Sequence, residues 1–140
     1  MGFEYLEHTA DLKVKAWGNQ LEKAFENAAL GGMNFIVDIK KVEPKIKKKI
    51  MVRSKRLESL LYDFLEELLY LIDTDGFMFA GAQEMSIARG VGGDLELHCV
   101  ALGDSYKNYE RKGDLKAITY SEMSIKEKDG GWEIIVVYDI

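Results

Sequence analysis

The segment FEYLEHTADLKVKAWG, residues 3 to 18, sets Glu7, His8, Thr9 and Asp11 between two apolar runs, where chain reversal alone would need only a glycine or an Asn-Gly pair. At the other end, Tyr138-Asp139-Ile140 puts an aspartate side chain and the α-carboxylate of Ile140 within one residue of each other. If the opening segment lies beside this end, Asp11 adds a third carboxylate. Like charges that close repel unless one is protonated or a cation bridges them. Oxygen-only donors favour a hard divalent ion, Ca²⁺ or Mg²⁺, over zinc. Spacing alone leaves two readings open: a metal-holding wall, or a solvated turn beside a solvated terminus.

The remaining reactive residue types are sparse. His8 suits a proton shuttle or a partner contact, and equally a hydrogen-bonded structural residue in a turn. His98 alternates with Leu97 and Cys99 and shares a face with Glu96, while Cys99 points with Leu95 and Leu97 toward the core. One cysteine excludes an intramolecular disulfide framework, and with two histidines it falls short of a structural zinc set. The glycines of ARGVGGD lack the following helix and Lys-Ser/Thr ending of a phosphate loop, so a hairpin turn explains them better. The run from Lys40 to Arg56 holds nine Lys or Arg against one acid, Glu43. It suits RNA phosphates, an acidic protein, or lysines that protect an exposed strand edge, and it lacks interleaved aromatics for base stacking. No Ser-His-Asp order, HExxH or nucleotide fingerprint is visible, so the residues do not recommend a self-contained enzyme.

The elements that must position these groups follow from periodicity. The chain's 140 residues, 47% of them hydrophobic, suit one domain over 1–140. Asn19 as cap, Glu22 three residues on, and Leu21, Ala24, Phe25, Ala28 and Ala29 predict a helix over 20–33, weakened at Gly31-Gly32. Leu57, Leu60, Leu61, Phe64, Leu65, Leu68, Leu69 and Ile72 form one apolar stripe that predicts a second helix, capped by Ser54 and ended before Gly76. Between them, Ile46, Ile50 and Val52 alternate with lysines as an exposed strand does. After Gly76 two hairpins are expected, turning at RGVGGD and at Lys128-Asp129-Gly130-Gly131. The last strand is apolar on both faces and therefore central. The fold class is α+β, two helices packed on a mostly antiparallel β-sheet.

Charge and hydropathy narrow the partners. A balance of 24 acidic to 19 basic residues, net −5, does not advertise a nucleic-acid binder, DNA included. No run approaches the roughly 18 apolar residues of a membrane span, and Glu4 and Glu7 stand where a signal peptide would be basic and then apolar. A cytoplasmic protein without membrane attachment is expected.

Taken together, EHTADLKVKAWG, LEKAFENAA, LLYDFLEELLYLIDTDGF and KAITYSEMSIKEKDGGWEIIVVYDI resemble the archease family over essentially the whole chain. The joint occurrence of HTAD, KAITY and a final Asp-Ile carries the resemblance. It implies a protein cofactor, not itself a ligase, of an RtcB-type RNA ligase, the enzyme that joins tRNA halves after intron removal. Such a cofactor promotes ligase guanylylation and multiple turnover and broadens nucleotide use, meeting tRNA only indirectly. The resemblance also implies a divalent ion between Asp11, Asp139 and Ile140, and makes Lys116 a contact for the ligase or its nucleotide. Ser121 stands where many relatives have His, which leaves no proton-transfer group there. Two rivals remain: a stand-alone metal-dependent hydrolase, and a chaperone-like adaptor with a structural metal.

Overall fold

The computed structural model describes residues 2–140. Strand β1 (Phe3–Leu6) turns back into β2 (Asp11–Gly18), followed by helix α1 (Leu21–Ile36), β3 (Ile46–Ser54) and α2 (Leu57–Asp75). Two hairpins complete the chain, β4 (Phe77–Arg89) with β5 (Leu95–Ser105) and β6 (Ala117–Lys128) with β7 (Gly131–Asp139). Every strand pairing is antiparallel. The α+β expectation holds, but the strands divide between two sheets instead of sharing one, in the orders β1-β2-β7-β6 and β3-β5-β4. As its two apolar faces suggested, β7 lies inside its sheet, between β2 and β6.

Both hairpin turns use the residues their geometry requires. Asp129 and Gly130 have φ of 53° and 79°, the paired positive values of a tight turn that matches the strand twist. In the β4–β5 turn the Gly90 amide donates to the Asp94 carbonyl and Gly93 stands at φ 89°, so ARGVGGD is a turn.

Both helix starts depart from expectation. Helix α1 is capped by Gln20 and α2 by Arg56, each in extended conformation and neither with a side-chain cap hydrogen bond. Ser54 belongs to β3, where its hydroxyl pairs with that of Ser59. Gly76 ends α2 in the left-handed conformation, and its amide donates to the Ile72 carbonyl.

Helix α1 also runs three residues past its expected end, through Gly31-Gly32 to Ile36. Glycine lowers helix propensity, but here it allows close packing that outweighs the loss. A Cβ at Gly31 would come within 2.5 Å of Val14 Cγ1 on β2, and one at Gly32 within 2.6 Å of Tyr138 Cζ on β7. The helix thus lies directly on the two strands that carry Asp11 and Asp139. The Tyr138 hydroxyl, wholly buried, donates to the Ala28 carbonyl at 2.8 Å and locks the register of helix against strand. From α2, Leu60, Leu61, Phe64, Leu65 and Leu68 fill the same apolar cluster, which includes side chains of both sheets.

Because Tyr138 cannot withdraw without losing that bond, Gly32→Ala is expected to lower stability by about 1–3 kcal/mol, read as a lower urea midpoint. Gly92→Ala, where nothing lies within 4 Å, serves as the control. Equal midpoints for the two variants would contradict this account of α1.

Candidate functional site

The site begins with a register. In the β2–β7 ladder Asp11 stands directly opposite Asp139, and in the β6–β7 ladder Ala117 stands opposite the same Asp139. Residues facing each other across an antiparallel pair project on one face with Cβ atoms about 5 Å apart, so the two carboxylates share a surface. The sequence could name both but not join them; the chain's first turn and last strand do so.

That turn works because Ala10 adopts φ 65°. The left-handed conformation costs a residue with a Cβ roughly 1–2 kcal/mol, and here it brings Asp11 into the ladder as its first residue. Asp139 and Ile140 are exposed and Asp11 is half-buried, so the group faces solvent at one end of the sheet. Lys116 arrives one residue before β6, its backbone amide donating to the Asp139 carbonyl at 2.8 Å. Its exposed side chain makes no ion pair among the described residues. Four of the expected residues, Asp11, Asp139, Ile140 and Lys116, therefore meet at one tip.

His8, in the same turn, is held by a residue that sequence reasoning missed. Its Nε2 lies 2.6 Å from Glu122 Oε2. A carboxylate only accepts, so Nε2 donates. Nδ1 then faces Asp11 Oδ2 at 3.5 Å, buried and without a hydrogen-bond partner. Lys13 donates to the other oxygen of Glu122 at 2.9 Å. Together these bonds hold the Glu122 carboxyl below its ordinary range, Lys13 contributing most and His8 next. Glu122 reaches across because β6 bulges between Thr119 and Ser124, with Glu122 itself at φ 56°. The bulge is anchored on its far side by Tyr120, whose ring stacks on Tyr62 of α2 at 4.5 Å. No periodicity marks such an interruption in TYSEMS, which otherwise reads as continuous strand.

Asp38 has no part in this cluster. It follows α1, accepts a hydrogen bond from the Lys40 amide at 3.1 Å, and lines a separate hollow of about 340 Å³ with Lys41, Tyr109 and Lys112. Among the described residues, no three His, Cys, Asp or Glu side chains converge as a metal-binding group. Two paired carboxylates are the side-chain share of any cation site here. His98 is exposed and pairs with Glu96 at 3.1 Å on the other sheet. Cys99 is buried, and burial pushes its thiol up to about 11, out of nucleophilic range. Among the described residues, no helix is long and apolar enough to cross a membrane.

Comparison with known proteins bears on this arrangement. The model of the Archease protein family matches residues 3–140. The chain belongs to the archease family. It is 40% identical over 140 residues to the protein archease of Methanosarcina mazei, covering 99% of this chain and 95% of that one. To the protein archease of Thermococcus gammatolerans it is 42% identical over 141 residues, covering 99% and 98%. The solution structure of protein 1598 from Methanobacterium thermoautotrophicum superposes with a TM-score of 0.83 at 33% identity over 99% of both chains. A crystal structure of a Thermotoga maritima archease, described as a possible chaperone, has a TM-score of 0.56 at 18% identity, covering 98% of this chain and 96% of that one, and supports the fold alone. The resemblance read from HTAD, KAITY and the final Asp-Ile is therefore correct.

Because bonding depresses the Glu122 pKa, its brace on His8 is complete above the ordinary glutamate value and is released as pH falls through the lower, folded-state value. A carboxyl-carbon NMR titration is expected to give Glu122 a midpoint below about 4.3, moving up in Lys13→Met. A wild-type midpoint at or above the ordinary value would show that the brace does not form.

Proposed function

We propose that this archease activates an RtcB-type RNA ligase, presenting the tip formed by Asp11, Asp139, Ile140 and Lys116 to the ligase during guanylylation. The observation that carries the reading is the Asp11–Asp139 pairing, which sets two carboxylates side by side at an exposed end of the sheet.

The tip suits a divalent cation by the chemistry of its donors. Two carboxylates about 5 Å apart at Cβ repel when both are ionised, and a hard ion with oxygen ligands relieves that repulsion. Asp11 and Asp139 would hold it, with Ile140 as the adjacent oxygen source. When bound, the ion neutralises the pair and offers a positive centre to a phosphate oxygen. The chain's own groups do the rest. Lys116, tied to Asp139 through its backbone amide, adds an exposed lysine beside the pair, a side chain whose ammonium suits a phosphate or a ligase carboxylate. His8 is held by Glu122, which Lys13 holds in turn, and its Nδ1 stands 3.5 Å from Asp11 Oδ2. Nothing at the tip needs to form a covalent bond with nucleotide, which suits a cofactor better than a ligase.

Guanylylation of the same organism's RtcB-type ligase is expected to be stimulated by the wild-type protein and to lose that stimulation about tenfold or more with Asp11→Ala or Asp139→Ala. Circular dichroism would check that both variants remain folded. Full stimulation by both variants would sink the role given to the tip. In calorimetry, Ca²⁺ or Mg²⁺ should bind the wild type with a stoichiometry near one and fail to bind the double variant. Equal binding to both proteins would remove these residues as ligands.

A further inference from the structure

The two sheets present four outer strand edges, and three are blunted. Strand β1 has only four residues, and β6 is interrupted by its bulge. Strand β4 carries two register shifts, and its Ala82 and Ile87 amides donate to Glu26 and Glu22 of α1 at 2.7 and 3.3 Å. Strand β3 is different. Its nine residues pair with β5 without a break, from Ile46 opposite Gly103 to Ser54 opposite Leu95, and among the described residues no strand lies on its other side. Backbone donors and acceptors along such an edge are a template for one more strand.

We propose that the outer edge of β3 takes up an extended segment of a partner protein by strand addition, a segment acidic on one face and basic on the other. Alternate side chains of an added strand fall beside the two faces of β3. On the outward face stand Lys47, Lys49 and Arg53, all exposed, and neither lysine has an ion-pair partner among the described residues. Acidic side chains fit there. Toward α2, a groove of about 520 Å³ is lined only by β3 and α2: Val52, Arg53, Asp63, Glu66, Glu67 and Tyr70. Val52 and Arg53 are consecutive and project on opposite faces, so a groove touching both lies at the strand's edge. Its three carboxylates have no ion-pair partner among the described residues, and burial holds that of Asp63 above its ordinary range. Arginine or lysine side chains, with Tyr70 exposed beside them, fit there.

The same charges argue against other occupants. Two copies joined edge to edge through β3 would set lysines against lysines. RNA would meet the acidic wall of the groove, and the outward face offers Met51 where stacking would need an aromatic ring. This surface goes beyond the ligase reading and does not depend on the Asp11–Asp139 tip.

The test uses a fluorescein-labelled nine-residue peptide alternating Glu and Arg, its block isomer with all Glu before all Arg, and a uridine dodecanucleotide. Anisotropy is expected to show binding of the alternating peptide, with the block isomer and the Lys47→Glu/Lys49→Glu variant each weaker by about tenfold or more. Amide exchange within residues 46–54 is expected to slow when the alternating peptide binds. Absence of binding, unchanged exchange in β3, or equal affinity for the two peptides would overturn the proposal. So would tighter binding of the RNA that is lost in the double variant.

Discussion

The pairing of β2 with β7 is the constraint on which the rest of the molecule depends. Eight residue pairs, from Asp11 opposite Asp139 to Gly18 opposite Trp132, join the start of the chain to its end. The side-chain period of a strand is two, so a slip of one residue would turn Val14, Ala16, Ile134 and Val136 out of the core. It would also part the two aspartates. Core and site are thus specified by one ladder, and burial of the apolar face enforces a polar arrangement that would be unfavourable alone. Four wholly buried side chains on the same two strands fix the register that sets the carboxylates opposite one another.

Helix α1 holds this ladder against the second sheet. Its glycines admit Val14 and Tyr138, and its glutamates reach the amides of β4, so one helix packs on the first sheet and closes an edge of the second. Charge is distributed to similar effect. Among the described residues the acids of α2 have no ion-pair partner except Asp75, which pairs with Lys48 of β3. A chain of net charge −5 therefore carries a sharp local boundary between basic strand and acidic helix. Such a boundary selects among partners more finely than net charge does.

The tip is rigid on one side and open on the other. Beside Asp11, His8 and Lys13 are joined through Glu122 by hydrogen bonds of 2.6 and 2.9 Å, and the β6 bulge that carries Glu122 is backed by the Tyr120–Tyr62 stack on α2. Asp139, Ile140 and Lys116 are exposed. A group preorganised from behind and open in front suits contact with a larger partner, because the docking surface need not be ordered at the moment of encounter.

By itself the sequence determined the elements whose patterns are local. The apolar stripe of α2, the alternation in β3, the two hairpin turns and the double-faced β7 were legible because each rests on a period of 3.6 or 2, or on a glycine where the backbone requires one. The residues of the tip were legible too: Asp11 and Asp139 by their setting, and Lys116 by family motif. Only the tertiary structure decided that α1 continues through Gly31-Gly32, that the strands form two sheets, and that Glu122 and Lys13 complete the site. Each of those depends on partners far away in the chain. A glycine that weakens a helix locally becomes the contact that seats it on Val14 and Tyr138, and a bulge that no periodicity marks carries a carboxylate across to His8. Local preference is a fraction of a kcal/mol to about 1 kcal/mol per residue, and packing between distant segments exceeds it.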